Sequence, residues 1–222
     1  MFESKYSKLL TGLLIVGIIL IIGILIALGV GLSVNSSKNK EAADAVEQFQ
    51  GNIIKSKDEE NKNTNTEGVA PIIGIENLLT PNNSATTKKQ MYKGFPMVGT
   101  IEIPSIDLKY PVLENASKSA IEVAIAVYDG PGLNKVGNTT LVGHNYRNGT
   151  YFSNLKKVAV GDKVIITDES GTKVTYVVYN TYITTPEDSS YLDRDTQGKR
   201  EITLDTCTDD SQSRLLVFAK EQ

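Results

Sequence analysis

The sequence predicts an all-β domain, a closed or nearly closed barrel or sandwich, behind a single membrane-spanning helix. Two observations carry that expectation. Residues 9–34 are an apolar run interrupted only by Thr11, Ser33 and five glycines. From residue 95 onward, about seven or eight short β-rich runs succeed one another, with turn residues between them and few helical stretches.

At about 1.5 Å per residue a helix over the apolar run exceeds a hydrocarbon core of ~30 Å, and the run is longer than the roughly 7–15 residues of a cleaved signal peptide. It predicts an uncleaved signal anchor at 9–34, with residues 1–8 as a short cytoplasmic tail. Lys5 and Lys8 precede the run and Lys38 and Lys40 follow it, so the positive-inside count is nearly balanced. The short tail favours an amino terminus inside and the remainder extracytoplasmic. Residues 35–94 shift to Asn, Lys, Glu, Ser and Thr and read as a flexible extracytoplasmic linker, since stretches such as 55–67 have almost nothing apolar to offset chain entropy. Within it, 42–49 carries apolar residues at helical spacing, which suggests a short helix leaving the membrane. Residues 69–79 are apolar enough to clasp a domain or to lie over its groove, with loose linker as the alternative.

The folded domain is expected over residues 95–222. Strands are predicted at 98–103, at 108–112, where Pro111 suits an edge or strand end, and at 138–143, 163–167, 173–183, 201–206 and 214–220. A helix is predicted at 116–126, capped by Ser117 or Ser119, and a helical turn at 151–155. In the last strand Leu215, Leu216, Val217, Phe218 and Ala219 are all apolar, which predicts that it is largely buried.

Composition narrows the chemistry. The net charge of −3 with mixed signs offers no basic surface for nucleic acid. A single cysteine, Cys207, excludes an internal disulfide, and with a single histidine, His144, it leaves too few soft ligands for a structural zinc site. No glycine-rich phosphate loop is present. Any Cys/His chemistry in this chain therefore uses one forced pair.

Cys207 follows the predicted strand 201–206 and opens the polar loop 208–213, between Thr206 and Thr208. A structural cysteine is usually embedded among apolar neighbours, so both a reactive and a packed thiol stay open on this residue alone. Asp209 and Asp210 follow closely, and negative charge nearby works against thiolate formation. His144 ends the strand 138–143 behind Gly143, a residue that permits close approach of backbone or ligand. Alone, it also fits a turn. Arg214 begins the strand after a six-residue connection, so its side chain returns to the same end of the sheet as the thiol, where an ordinary ion pair is the plain alternative.

Taken jointly, these residues resemble the sortase family. Leu204-Asp205-Thr206-Cys207 is similar to that family's LxTC motif, Leu141-Val142-Gly143-His144 to its histidine segment, and Ser213-Arg214-Leu215-Leu216-Val217 to its arginine strand. Residues 99–104, with Ile106, Leu108, Pro111 and Val112, resemble its first strands. The resemblance implies an eight-stranded β-barrel with one or two short helices, behind the membrane helix. It also implies a cysteine transpeptidase that cleaves an LPxTG-like sorting signal through a thioacyl intermediate on Cys207. His144 then serves as acid and base and Arg214 as oxyanion partner. Thr206, Asn145, Ile183 and Tyr191 become candidate substrate contacts, the loop 182–199 supplying one wall of the groove, with structural packing as the alternative role for Ile183 and Tyr191. Implied partners are secreted proteins bearing a C-terminal sorting signal and an amine acceptor such as a peptidoglycan precursor or a pilin lysine. The membrane is met through residues 9–34, with no nucleic acid, cofactor or metal; calcium activation is not readable from the residues.

This chain also departs from the pattern. Asp205 holds the variable position of the cysteine motif, where its charge can tune thiol ionisation or peptide choice. The separation of 63 positions from His144 to Cys207 leaves little room for the helical insertion of one subfamily. No second apolar span follows Cys207, which argues against a pilin polymerase. Two rival readings are a hydrolytic cysteine peptidase, disfavoured because papain-like enzymes place cysteine before histidine, and a non-catalytic surface module with a packed thiol.

Overall fold

The structure is a computed structural model and describes residues 3–63 and 89–222. It divides into two compact units, Met1–Glu41 and Ala42–Gln222. The first unit is helix. It belongs to α1 (Glu3–Asn63), whose apolar stretch is long enough to cross a membrane and carries exposed large side chains such as Leu13, Ile19 and Leu25. That fits a single membrane anchor.

The second unit is a barrel with the remainder of α1 on its surface. Helix, not linker, therefore occupies residues 35–63 of the stretch read as flexible, while 69–79 lies outside the described residues. The physical reason is a stripe with somewhere to go. Ala42, Val46 and Phe49 recur at helical spacing and are buried, Phe49 packing with Met97, Leu113, Ala124 and Ala126 of the barrel wall. Around this stripe Gln50 donates to Glu102 at 3.1 Å, Gln90 donates to the Phe49 carbonyl at 3.3 Å, and Lys109 pairs with Glu47 at 3.2 Å.

The strands are β1 (Met91–Tyr92), β2 (Phe95–Ile103), β3 (Leu108–Leu113), β4 (Ile125–Asp129), β5 (Gly137–Val142), β6 (Lys163–Asp168), β7 (Lys173–Thr184), β8 (Arg200–Cys207) and β9 (Arg214–Glu221). Their order is β1-β2-β3-β4-β5-β8-β9-β7-β6, and β6 pairs back onto β2. Eight strands thus close a barrel, with the two-residue β1 as an addition, and closure leaves no long unpaired edge. Ile101, Ile103, Val112, Leu141, Ile166, Tyr176, Ile202, Leu204 and Val217 fill the interior. Two neighbouring pairs are parallel, β3 with β4 and β5 with β8.

The predicted helix at 116–126 is shorter in the fold. Only α2 (Lys118–Ile121) is α-helical, with Ser117 accepting from the Ala120 amide at 3.1 Å, and Ile125 already begins β4. A short run of Ala, Ile and Val reads equally well as helix or buried strand. Here the gap between β3 and β5 decides: Ile125 and Ala126 pair with Val112 and Leu113, past Pro111, and are fully buried.

The connection 185–199 is fixed to the outside of the wall. Tyr191 packs with Leu216 and Phe218, Asn138 donates to the carbonyls of Tyr191 (3.0 Å) and Leu192 (3.2 Å), and Arg194 pairs with Glu201 at 3.0 Å over the Phe218 ring.

Phe49 is 2% exposed whereas Ile54, on the same helix, is 61% exposed. Phe49→Ala is therefore expected to destabilise the detergent-solubilised chain by about 3–5 kcal/mol, and Ile54→Ala to stay within ~0.5 kcal/mol. Thermal unfolding followed by circular dichroism checks this; equal midpoints for the two variants contradict the docking.

Candidate active site

Two pairings build one rim. Parallel β5 and β8 run in register from Gly137 opposite Arg200 to Val142 opposite Asp205. Two residues further on along each strand stand His144 and Cys207. The pairing continues into this extension, since the Gly143 amide donates to the Asp205 carbonyl at 3.2 Å and the Thr206 hydroxyl donates to the Gly143 carbonyl at 2.7 Å. Antiparallel β9 then sets Arg214 directly opposite Cys207. Sulfur, imidazole and guanidinium thus belong to one end of the barrel, each half-buried.

Gly143 is required by the core beneath the rim. A Cβ there would lie 2.9 Å from Phe152 and 3.2 Å from Ile125, closer than packed side chains allow. The glycine thus makes room for Phe152, whose amide in turn donates to the His144 carbonyl at 3.1 Å.

The loops after His144 and Cys207 are tied together. Asn145 donates to the Cys207 carbonyl at 2.9 Å and to the Asp209 carboxylate at 3.0 Å; Arg147 donates to the Asp209 carbonyl at 2.6 Å, and Lys156 pairs with the Asp209 carboxylate. Asp209 is held below the usual carboxylate range chiefly by the Lys156 hydrogen bond, then by Asn145. Asp210 is lowered by Thr208, whose hydroxyl donates at 2.5 Å, and by the Gln212 amide at 3.0 Å. The two aspartates that argued against a thiolate therefore bond to neighbouring cations, amides and a hydroxyl.

His144 leans on an aromatic series. Its ring is 4.8 Å from Tyr146, which lies 5.7 Å from Tyr151, itself 5.3 Å from Tyr110 in the core. Burial pushes the imidazole pKa below its ordinary value; Glu122 pulls it up and Arg214 pushes it further down. Among the described residues no hydrogen bond joins this ring to the thiol.

Arg214 lies 3.7 Å from the Asp205 carboxylate, a side chain that is almost wholly buried and accepts from the Tyr191 hydroxyl at 2.9 Å. The candidate contacts divide accordingly. Thr206 and Tyr191 are buried, their hydroxyls bonded to Gly143 and Asp205, and Asn145 braces the loop after Cys207. Ile183 is 62% exposed near the end of β7, beside the site, and is free to meet a ligand. Sequence reading took Asp209 only as a charge near the thiol and missed Lys156 and Tyr146 as parts of this site, because only the folded loops bring them to it. Among the described residues no cluster of three or more His, Cys, Asp or Glu side chains is arranged to hold a metal ion.

Comparisons with known proteins agree on a relationship. A family model described as a sortase domain matches residues 101–222. Sortase A of Bacillus anthracis is 32% identical over 139 residues, 61% of each chain. Sortase A of Streptococcus agalactiae serotype III is 31% identical over 156 residues, 67% of this chain and 59% of that one. The chain thus spans about 60% of the length of these curated relatives. The solved structure of a sortase D5 transpeptidase of Clostridium perfringens shares the fold at a TM-score of 0.58 and 22% identity, over 84% of this chain and 99% of that one.

His144 is the only histidine, so one imidazole resonance reports its titration by NMR. Its midpoint is expected below 6.5, and Arg214→Ala is expected to move it up. The folded chain binds this proton less readily than the unfolded one. The stability so gained is complete above pH 6.5 and is lost as pH falls through the folded midpoint. A wild-type midpoint above 6.5 contradicts the burial seen here.

Proposed function

The chain belongs to the sortase family, and on that premise we propose that it is a membrane-anchored, extracytoplasmic cysteine transpeptidase. It cleaves an LPxTG-like sorting signal and joins the released surface protein to an amine of the cell wall or of another protein subunit. The observation that carries this reading is the shared register by which the continuations of β5 and β8 bear the lone His144 and lone Cys207, with Arg214 opposite the thiol.

The chemistry divides among those residues. Cys207 loses its proton to His144, and its sulfur attacks the threonine carbonyl of the sorting signal. The carbonyl π electrons move onto oxygen, where the planar guanidinium of Arg214 offers fixed donors. Collapse of this intermediate expels the amine of the following residue, protonated by His144, and leaves a thioester on Cys207. An imidazole of lowered pKa yields that proton readily. The incoming amine, deprotonated by the now neutral His144, attacks the thioester and regenerates the thiol. Water competes for the same thioester.

Several features favour peptide substrates. The exposed Ile183 and Tyr182 stand at the end of β7, beside the rim, as apolar surface for an extended segment. The apolar part of α1 suits an anchor at residues 9–34, with the short tail inside and the barrel outside.

Incubating the full chain in detergent with a sorting peptide and excess amine tests the reading by mass spectrometry. The expected products are a Cys207 adduct ending in the acylated threonine and a peptide joined to the amine. Cys207→Ala is expected to abolish both, and Arg214→Lys to slow turnover about 10²-fold. Hydrolysis alone at high amine identifies a peptidase; an unreactive thiol, with function kept by Cys207→Ala, identifies a binding module.

A further inference from the structure

Asp205 stands beneath the rim, and its charge has no place in the acyl transfer just described. It is 2% exposed, in the variable position of the cysteine motif, two residues before the thiol. Burying a carboxylate is unfavourable unless partners replace water at both oxygens. One oxygen, Oδ2, accepts from the Tyr191 hydroxyl at 2.9 Å. The other, Oδ1, is buried without a hydrogen-bond partner among the described residues and lies 3.7 Å from Nη1 of Arg214.

That distance is informative. It is longer than a hydrogen bond, yet short enough for strong attraction between opposite charges in a buried setting. A carboxylate serving only to anchor the loop would be expected to bond through both oxygens. A bidentate pair, in contrast, would occupy the donor fork of the guanidinium. Asp205 does neither. On the strand pair it is the diagonal neighbour of Arg214, since Asp205 faces Leu216 while Arg214 faces Cys207. The carboxylate therefore attracts the guanidinium without occupying its donor fork.

We propose that Asp205 is a positioning residue for Arg214: a buried carboxylate, oriented by Tyr191, that fixes the guanidinium beside the Cys207 thiol before substrate arrives. The inference rests on the reading that Arg214 stabilises the oxyanion. Electrostatic catalysis requires such donors to be in place in advance, because reorienting them during the reaction adds to the barrier. Burial holds the Asp205 pKa above the ordinary carboxylate value, and Arg214 and then the Tyr191 hydrogen bond oppose that rise. Tyr191 belongs to the connection 185–199, so the same carboxylate links the outer loop to the guanidinium.

Asp205→Asn tests the proposal, since its amide oxygen still accepts from Tyr191 while the negative charge is lost and an NH2 group replaces the oxygen facing Arg214. In the unliganded full chain, guanidinium NMR resolves the arginines, and Arg214→Ala identifies the Arg214 signal. Restricted rotation of this guanidinium is expected in the wild type, with free averaging in Asp205→Asn. In turnover of sorting peptide and amine, Asp205→Asn is expected to lower kcat about tenfold with KM changed less than about twofold. In an Arg214→Ala background the same substitution is expected to cost almost nothing, because a residue acting through another shows no effect once that residue is gone. Should Asp205→Asn fold poorly, Tyr191→Phe retains the charge and is expected to reduce kcat about twofold to threefold, again only when Arg214 is present. Identical guanidinium dynamics in wild type and Asp205→Asn overturn the proposal, as do equal losses in both backgrounds. If the wild type turns over no sorting peptide while the guanidinium still loosens in Asp205→Asn, the positioning stands and the proposed substrate is wrong.

Discussion

The parallel pairing of β5 with β8 is the constraint on which the site depends. It joins strands whose key residues are 63 positions apart, and its register decides whether His144 and Cys207 meet at one rim. A one-residue slip would turn one of the two side chains to the opposite face of the sheet. Parallel neighbours need a long crossover, and here the crossover itself contains β6 and β7, which close the barrel onto β2 and β9. The topology that closes the barrel thus also sets the spacing of the site. The Thr206 hydroxyl on the Gly143 carbonyl and the Asn145 amide on the Cys207 carbonyl extend that register beyond the ladder, to the residues that carry the proposed chemistry.

Around this register the polar groups have separate tasks. Asp209 and Asp210 would oppose a thiolate if their charge faced it, yet one is taken up by Lys156, Asn145 and the other by Thr208 and the Gln212 amide. The imidazole is shielded by Tyr146 and lowered in pKa by burial, so it is chiefly neutral at neutral pH and able to receive a proton. Asp205 supplies negative charge under Arg214 from a buried position, away from the exposed side where a peptide would lie.

Much of this was legible in the sequence, for identifiable reasons. A single cysteine and a single histidine left only one Cys/His pair, and the short 208–213 connection tied Arg214 to Cys207. β7, β8 and β9 carry long β-rich runs, so local pattern and tertiary pairing agree in them. Elsewhere the deciding partner is remote. Residues 125–129 form a strand because β3 and β5 leave a slot for them, and Ala42, Val46 and Phe49 form a helical stripe because a barrel face receives it. In the sequence Tyr191 reads as a candidate groove contact or a packing residue of the loop 182–199, and Thr206 as a residue that orients the acyl carbonyl or the arginine. Their buried partners, Asp205 and the Gly143 carbonyl, became visible only in the fold. Asp205 itself was marked by its charge at an unexpected position, though its pairing with Arg214 needed the β8–β9 register.

A bifunctional alkylating agent with a three-carbon reach, 1,3-dibromoacetone, probes the convergence of thiol and imidazole directly. Each group occurs once in the chain, so peptide mapping by mass spectrometry identifies a bridge without ambiguity. The expected result is a covalent link between Cys207 and His144 in the native protein that is absent after denaturation. Alkylation of Cys207 in the native protein with no bridge to His144 would contradict a shared rim.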